Sequence, residues 1–344
     1  MTHEFKKIIK GYQEAEEKGL QSIVATVVAL DGSSYRKPGV RMLITENGQM
    51  IGAVSGGCVE KEILKQTYSV FKTGISKVMT YDGRYRLGCE GVLYILLELF
   101  HPEAAFINTF KNCLEHHNNF SIHSFYSKDI GSDENYGSSI SFDDEQLFSF
   151  NQNSKVNRNA SLQIFSQILK PCFRLVIIGA EHDAVELCSF AAALGWDVFV
   201  IASLSDSKTI TDFRGAQKVL HESPESIDAS IVKEETAIVL MTHSYAKDLQ
   251  YLITLKDKAP EYIGILGSVN RREKLLNEIM ELCPLINDEF FEKIHSPAGL
   301  NIGAITPQEI ALSICAEILA VTRKKDPGSL RNTMGSIHSD NYLA

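Results

Sequence analysis

The stretch FRLVIIGAEHDAVELCSFAAALGWDVFVIA, residues 173–202, decides the fold of the second half of the chain. It begins with a continuous apolar run, 173–178, which ends at Gly179. An apolar helical pattern follows through Leu194, and a second run rich in branched residues covers 197–202. A strand, a helix and a strand in this order form a βαβ unit. Because the glycine follows the first strand directly, the stretch predicts a Rossmann-like domain.

Two positions of this unit differ from a dinucleotide-binding fingerprint. Glu181 stands where a glycine would let a pyrophosphate approach the backbone. Ala202 ends the second strand, where an acidic residue would bond a ribose hydroxyl. A carboxylate that faces a pyrophosphate is electrostatically unfavourable. The unit therefore predicts a Rossmann fold, while Glu181 and Ala202 argue against ordinary NAD(P) binding.

Alternating strands and helices continue this domain, which we place at 171–325. Further strands are predicted at 218–221, 236–242 and 262–266. Alternation of this kind indicates a parallel sheet, whose ligands bind beyond the carboxyl ends of the strands. His243, Gly267 and Ser268 fall at those ends and are candidate ligand-binding residues. His243 could equally be a simple contact at a helix start.

The last helix has clear start and stop signals. Thr306 and Glu309 form a capping box around Pro307, and apolar residues recur at Ile310, Ile314 and Ile318. Two lysines and then a proline and a glycine end the pattern at 324–328. The tail from 326 to 344 is polar and short.

The first half of the chain centres on GAVSGGCVEKEI, residues 52–63. An apolar run breaks into Ser55, Gly56 and Gly57 and then enters a helical pattern, which predicts a strand, a tight turn and a helix start. Amides at such a turn lack internal partners, so it favours a phosphate or another anion. Cys58 lies at the mouth of the turn, where a thiol tends to a lowered pKa. An inert buried thiol is the alternative interpretation.

The rest of residues 1–100 predicts an α+β domain. An amphipathic helix covers Phe5 to Ala15, a strand covers 22–30, and Asn47-Gly48 predicts a hairpin. The loop DGSSYRKPG, residues 31–39, has polar groups that could line an anionic ligand. A second cysteine, Cys89, lies between glycines in the loop DGRYRLGCEG.

Residues 101–170 read as a loop-rich insertion and linker. A helix with Phe106 and Phe110 precedes His116 and His117, which point in different directions on a helix and make a poor metal site. From 128 to 160 the chain is rich in Ser, Asn and Asp, so we expect it to bury little surface.

The net charge, the cysteine spacing and the lengths of the apolar runs exclude several classes of function. The chain has 344 residues, 44% of them hydrophobic, and a formal net charge of −9, which argues against nucleic-acid binding. Its seven cysteines contain no CxxC pair, so a reducing cytoplasm is the expected compartment. Because no apolar run has the length of a signal peptide or a membrane span, neither export nor membrane insertion is expected.

Several motifs together resemble the xanthine dehydrogenase accessory factors, the XdhC/CoxI family. In the first half they are RKPGVRMLIT, GAVSGGCVEKEI, LGCEG and a strand ending in Glu98; in the second they are GAEHDA, MTHSYAKDL, YIGILGS and HSPAGLNIGAITPQEI. Two departures stand out, since the family motif usually reads Cys-Gly-Gly where Glu90 follows Cys89, and Gly-x-Gly-His where Glu181 precedes His182.

The resemblance implies an accessory protein that binds molybdenum cofactor between its two domains and passes it to a molybdenum hydroxylase. It implies a homodimer, a cysteine desulfurase as a further partner, and no catalysis by the protein itself. Cys58 would approach the metal as a candidate molybdenum ligand. The implied cofactor-binding residues are Ser55, Gly56, Gly57, Cys58, Glu60, Cys89, Gly179, His182, His243, Gly267, Ser268, Pro297 and Gly299.

Two other functions remain open from the sequence. The first is an NAD(P)-dependent oxidoreductase, which would need a workable dinucleotide loop in the second domain. The second is a non-enzymatic dimerisation scaffold, which would bind no small molecule while still associating with a hydroxylase.

Overall fold

The computed structural model describes residues 1–32, 34, 37–55, 57, 59–83, 91–143, 146–154, 162–233 and 235–332. The chain divides into two compact units, Met1–Pro171 and Cys172–Ala344. The first is α+β and the second is a Rossmann-like α/β unit, which confirms the predicted fold class.

The first unit contains three helices and ten strands in its described residues. In chain order they are α1 (Thr2–Glu16), β1 (Ser22–Asp31), β2 (Arg41–Thr45), β3 (Met50–Gly52), α2 (Glu60–Thr73), β4 (Lys77–Asp82), β5 (Val92–Leu99), α3 (Ala104–Glu115), β6 (Phe120–Tyr126), β7 (Gly131–Ser132), β8 (Gly137–Asp143), β9 (Gln146–Ser149) and β10 (Gln163–Leu169). They form a six-stranded sheet, in the order β3-β2-β1-β5-β4-β7, and a four-stranded sheet, in the order β10-β6-β8-β9.

The two faces of the six-stranded sheet carry separate cores. Alternation along β1 sends Ile23, Ala25 and Val27 to one face, where they pack with Val59 and Ile63 at the start of α2. Val24 faces the opposite side and packs with residues of α1, α3 and the second sheet. The predicted hairpin forms between β2 and β3, with Gly48 at φ 85°.

Residues 101–170 differ from the predicted loop-rich linker. They supply α3, which is the predicted helix, and five paired strands, and Phe106, Phe110 and Phe120 are almost fully buried. These rings make edge-to-face contacts within one aromatic core, such as that between Phe110 and Phe120 at 5.5 Å. The average composition does not predict this core, because a strand with one buried face needs an apolar residue only at every second position.

The second unit is a six-stranded parallel sheet with helices. Its elements are β11 (Arg174–Ile178), α4 (His182–Ala193), β12 (Asp197–Ala202), β13 (Ala216–His221), β14 (Thr236–Leu240), α5 (Tyr245–Leu255), β15 (Tyr262–Ile265), α6 (Val269–Leu282), α7 (Asp288–Glu292), β16 (Ile294–His295) and α8 (Pro307–Thr322). The strand order β13-β12-β11-β14-β15-β16 is the doubly wound Rossmann order, with its switch point between β11 and β14.

The capping box predicted for the last helix is confirmed. The Thr306 side chain accepts a hydrogen bond from the Glu309 amide, the Glu309 side chain accepts one from the Thr306 amide, and Pro307 opens the helix. The helix ends at Thr322, before the predicted lysine pair. Among the helices of the described residues, none has the length and apolar character needed to cross a membrane.

Candidate functional site

The turn before α2 is closed by a carboxylate of the protein itself. Glu60, in the first turn of the helix, accepts hydrogen bonds from the Ser55 amide at 2.7 Å and the Ser55 hydroxyl at 2.6 Å. The Ser55 hydroxyl oxygen in turn accepts from the amides of Gly57 at 3.1 Å and Val59 at 3.2 Å. The amides of Ser55, Gly57 and Val59 therefore have internal acceptors, unlike the unpartnered donors that the sequence predicts.

The charge of Glu60 suits this position. Burial acts to raise its pKa, but the hydrogen bonds from Ser55 and from backbone amides outweigh burial and leave the pKa below its ordinary value. The side chain is 7% exposed. An anionic group thus already occupies the donors at this end of the helix, and a phosphate bound to the Ser55 amide would have to displace it.

Three of the predicted site residues lie outside the described residues. They are Gly56, Cys58 and Cys89. Val59, which follows Cys58 in the sequence, is described: it is the N-cap of α2, and its side chain is buried in the core of the first unit. The proposed role of Cys58 stays a prediction.

A buried polar cluster lies on the face of the first sheet opposite α2. Arg41 on β2 donates through Nη1 to the Gly39 carbonyl at 2.9 Å and to Gln167 Oε1 at 2.6 Å. Glu98 on β5 accepts from the amide and hydroxyl of Ser138 at 2.7 and 2.5 Å. Burial raises the pKa of Glu98 to about 7 against the opposing effects of Ser138 and Arg41, and burial lowers the pKa of Arg41 to about 10.

The second group of predicted residues lies at the carboxyl edge of the parallel sheet. Gly179 follows β11 with φ 131°, and a Cβ atom there would lie 2.4 Å from the backbone oxygen of Met241, after β14. Glycine is therefore required both by its dihedral angle and by the close approach of the two chain segments at the switch point.

The start of α4 faces the loop after β14. Glu181 is the N-cap of α4 and makes no side-chain capping bond, and His182 is the first helical residue, with an exposed side chain. His243, which adopts φ 53°, places Nε2 3.9 Å from Oδ2 of Asp183. The structure thus brings the predicted residues Gly179, His182 and His243 to one edge of the sheet.

The helices that follow β14 and β15, α5 and α6, are joined by an ion pair between Asp248 and Arg271. Asp248, 1% exposed, accepts from Nη2 of Arg271 at 2.5 Å and from the Thr242 hydroxyl at 2.5 Å. Arg271 belongs to the first turn of α6, whose N-cap is Ser268. A side chain at Gly267, which has φ 137°, would collide with Arg271. Gly267 and Ser268 therefore position this arginine beside a cavity of about 200 Å³ that His243 also lines.

The loop after β16 is held by a carboxylate of the last helix. Glu317 accepts from the Gly299 amide at 2.8 Å and from the Tyr262 hydroxyl at 2.5 Å, and its other oxygen lies 3.9 Å from Nδ1 of His295. Burial lowers the pKa of His295 against the effect of Glu317. Gly299 and the neighbouring Pro297 thus lie in a loop that internal hydrogen bonds hold in place. The Gly299 amide donates to Glu317 and already has an acceptor within the protein.

A further cavity of about 150 Å³ lies between the ends of β11, β12, β13 and β14. Its walls include side chains that sequence reasoning missed, among them Asp206, Glu222 and Lys247. For other missed residues the sequence did contain a signal. Thr242 and Asp248 both lie within the motif MTHSYAKDL, and Arg271 follows the candidate residue Ser268 by three positions. Asp206 and Glu222 had no such signal, because they come to line one cavity only through the positions of β12 and β13 in the sheet.

The two units match two models of one protein family. The description "XdhC Rossmann domain" matches residues 175–318, and "XdhC and CoxI family" matches residues 15–82. The chain belongs to the XdhC and CoxI family. The two matches fall in separate units, and together they confirm the resemblance inferred from the sequence.

Relatives of the chain cover nearly its whole length. A Bacillus subtilis protein described as a probable subunit of xanthine dehydrogenase is 29% identical over 89% of this chain and 94% of its own. The molybdenum cofactor insertion chaperone PaoD of Escherichia coli is 24% identical over 96% of this chain and 92% of its own. A crystal structure described as a xanthine dehydrogenase of Bacillus halodurans matches with a TM-score of 0.74 and 26% identity, over 93% of this chain and 97% of the other.

Proposed function

We propose that this protein binds molybdenum cofactor as cargo and delivers it to a molybdenum hydroxylase. The observation that carries the proposal is the match to a molybdenum cofactor insertion chaperone over 96% of this chain. Family membership and the relative described as part of a xanthine dehydrogenase support a hydroxylase as the recipient. The protein acts in this role as a carrier, in the cytoplasm and as a homodimer, and a cysteine desulfurase is a further partner.

Cys58 is the residue proposed to approach the metal of the cargo. In the sequence it directly precedes Val59, which is the N-cap of α2, and a thiolate is favoured near a helix N-terminus. A thiolate is also a soft ligand of the kind that transition metals accept. The amides of Ser55 and Gly57 are not assigned to the cargo phosphate in this proposal, because their hydrogen bonds go to Glu60 and to the Ser55 hydroxyl.

Pterin release tests this assignment. The wild-type protein and a Cys58→Ala variant would be purified from a host that makes molybdenum cofactor, and the pterin released from each would be oxidised, identified and quantified. Cys283→Ala is the matched control, since Cys283 is a free and partly exposed cysteine of the second unit. We expect bound pterin in the wild type and the control and a loss of at least tenfold in Cys58→Ala. Equal pterin in all three proteins would refute the role of Cys58, and its absence from all three would refute cofactor binding.

A further inference from the structure

A cavity of about 330 Å³ lies at the carboxyl end of α1 in the first unit. Residues from four segments line it, among them Tyr12 and Glu16 of α1, Ser22 at the start of β1, Phe100 after β5 and Asn151 after β9. Tyr12 and Phe100 belong to the core that lies on the face of the sheet opposite α2. The cavity is therefore on the other side of the sheet from α2. Its volume is at the lower end of the roughly 300–1,000 Å³ typical of small-molecule pockets.

One buried hydroxyl at this cavity has no hydrogen-bond partner. Ser22 is 3% exposed, and its Oγ atom bonds no described residue. Side chains alternate along β1, so Ser22 lies on the same face of the sheet as Val24, which is the face that Tyr12 packs against. The hydroxyl is thus turned towards the side that holds the cavity. Because buried polar groups normally have partners, a ligand in the cavity would supply the missing one.

The charge of the cavity favours a cation. Glu16 supplies a carboxylate, and no lysine or arginine is among the described residues that line the cavity. The carboxyl end of α1 adds partial negative charge at the same place. The His101 ring adds no positive charge, because the Gln152 amide nitrogen lies 2.6 Å from its Nε2 atom and can only donate to it. A positively charged ligand is therefore attracted and an anion is repelled.

The polar atoms at the cavity have capacity to accept hydrogen bonds. The Tyr12 hydroxyl donates to Oε1 of Glu16 at 2.5 Å, and burial together with this bond raises the pKa of Tyr12, so the hydroxyl keeps its proton. An ionised carboxylate offers about four acceptor positions, so Glu16 can also accept from a ligand. Oδ1 of Asn151 accepts from the Asn153 amide at 3.1 Å and retains a second lone pair. With the Ser22 hydroxyl, these groups suit an ammonium, which has only donors.

The apolar part of the lining favours an organic cation over a metal ion. The Tyr12 and Phe100 rings meet edge to face at 5.2 Å, and Leu20 adds further apolar surface. Surface of this kind suits an alkyl chain. A calcium ion needs about six to eight oxygen ligands. The part of the chain that the structure describes contains no group of three or more His, Cys, Asp or Glu side chains that could hold a metal ion.

We infer that this cavity binds a small primary alkylamine in its ammonium form, with Glu16 as the counter-charge and the Ser22 hydroxyl as an acceptor. The ligand is a free small molecule, whose alkyl chain lies against the apolar surface beside Phe100. The inference does not depend on the proposed function. A pterin that carries a phosphate is an anion, which Glu16 would repel, and the proposed role of Cys58 concerns the opposite side of the sheet.

Calorimetric titration tests the inference on the full chain, made in a host that lacks molybdenum cofactor, in an amine-free buffer at neutral pH. Butylamine is the main probe and is protonated there. 1-Butanol and butyrate keep a similar chain without the positive charge, tetramethylammonium keeps the charge without an N–H donor, and calcium chloride supplies a metal ion alone. We expect butylammonium to bind and each of the other four probes to bind at least tenfold more weakly.

Variants at the cavity test the two named side chains. Glu16→Gln should weaken butylammonium binding at least tenfold. Ser22→Ala should weaken it at least threefold and leave the urea midpoint of the ligand-free protein unchanged, because the hydroxyl has no partner among the described residues. Glu17→Gln is the matched control, since this exposed acid is next to Glu16 in the sequence and does not line the cavity.

Four results would each overturn the inference. They are no binding of butylammonium, equal binding of 1-butanol or tetramethylammonium, tighter binding of calcium than of butylammonium, and equal weakening by Glu16→Gln and Glu17→Gln. Pterin release from protein made in a cofactor-producing host is measured separately, so a failure here leaves the proposed function standing, and a failure there leaves this inference standing.

Discussion

The turn before α2 and the loop before α4 are two versions of one local plan. Each joins a strand to a helix through glycine, and each carries a glutamate near the helix start, Glu60 in the first unit and Glu181 in the second. Glu60 folds back onto Ser55 and occupies the donors of its own turn. Glu181 makes no capping bond and lines an open cavity. The same residue type thus completes one turn by hydrogen bonds and leaves its carboxylate beside a cavity in the other.

The comparison shows what a glycine turn does and does not reveal. Glycine marks where the backbone must turn or approach another segment closely, and that part of the interpretation holds for both regions. Whether the amides remain available for a ligand depends on a side chain several residues away. A glycine turn with a nearby acid is therefore weak evidence for a phosphate site.

The largest expected effect is the loss of stability on replacing Gly179 by alanine, which we compare with the same replacement at Gly57. Gly179→Ala should cost about 4 kcal/mol or more in the free energy of unfolding, because its Cβ would collide with the Met241 backbone. Gly57→Ala should cost only about 1–2 kcal/mol, since φ is 114° but no atom of the described residues lies within 4 Å of the added carbon. Urea denaturation followed by circular dichroism measures both. Equal costs would contradict the close approach at the switch point.

A second prediction concerns Glu98, which contrasts with Glu60 because burial raises its pKa to about 7. The folded state then binds a proton more tightly than the unfolded state, so stability should fall as pH rises from about 4.5 to about 7. Glu98→Gln should remove this contribution of roughly 1–3 kcal/mol and flatten the profile. Urea unfolding at pH 5 and pH 8 measures this change in the free energy of unfolding. If the free energy of unfolding changes with pH as much in Glu98→Gln as in the wild type, the prediction is contradicted.

Glu60 should show the opposite pH dependence. Its pKa is lowered on folding, so its contribution to stability is present above the ordinary value of 4.5 and is lost as pH falls below it. Glu60→Ala should cost about 1–3 kcal/mol at pH 7, because the Ser55 donors lose their acceptor, and the difference from wild type should shrink in acid. Glu62→Ala, which changes a more exposed acid of the same helical turn, is the control. A cost independent of pH would argue against the hydrogen bonds to Ser55.

The smallest expected effect concerns the capping box of α8, a self-completed helix start like that of α2. Thr306→Ala should cost about 1 kcal/mol, because the Glu309 amide loses its acceptor. Thr306→Ser keeps the hydroxyl and should lie within a few tenths of wild type. If both variants unfold at the same urea concentration as wild type, the capping bond contributes nothing measurable.

Much of the fold could be predicted because its signals are local. The βαβ stretch 173–202, the Asn47-Gly48 hairpin and the Thr306 capping box depend on neighbouring residues, and all three are confirmed. The aromatic core of residues 101–170 could not be predicted from average composition. Its phenylalanines are spread over separate elements and meet only in the folded sheet pair.

The candidate site was predicted less completely than the fold, because some of its residues come from separate segments of the chain. Gly179 and His243 were identified from their positions after strands, and the structure places both at the carboxyl edge. Asp206 and Glu222 come from different loops, so their convergence depends on the order of β12 and β13 in the sheet. The internal bonds of Ser55 were missed because sequence spacing gives no side-chain direction.

Transfer of cofactor to a hydroxylase tests the proposed function most directly. The protein, loaded in a host that makes molybdenum cofactor, would be mixed with a cofactor-free molybdenum hydroxylase, and both hydroxylase activity and the pterin content of each protein would be followed. We predict that activity appears as pterin leaves this protein and enters the hydroxylase. If free cofactor activates the hydroxylase but the loaded protein neither activates it nor loses pterin, the account is contradicted.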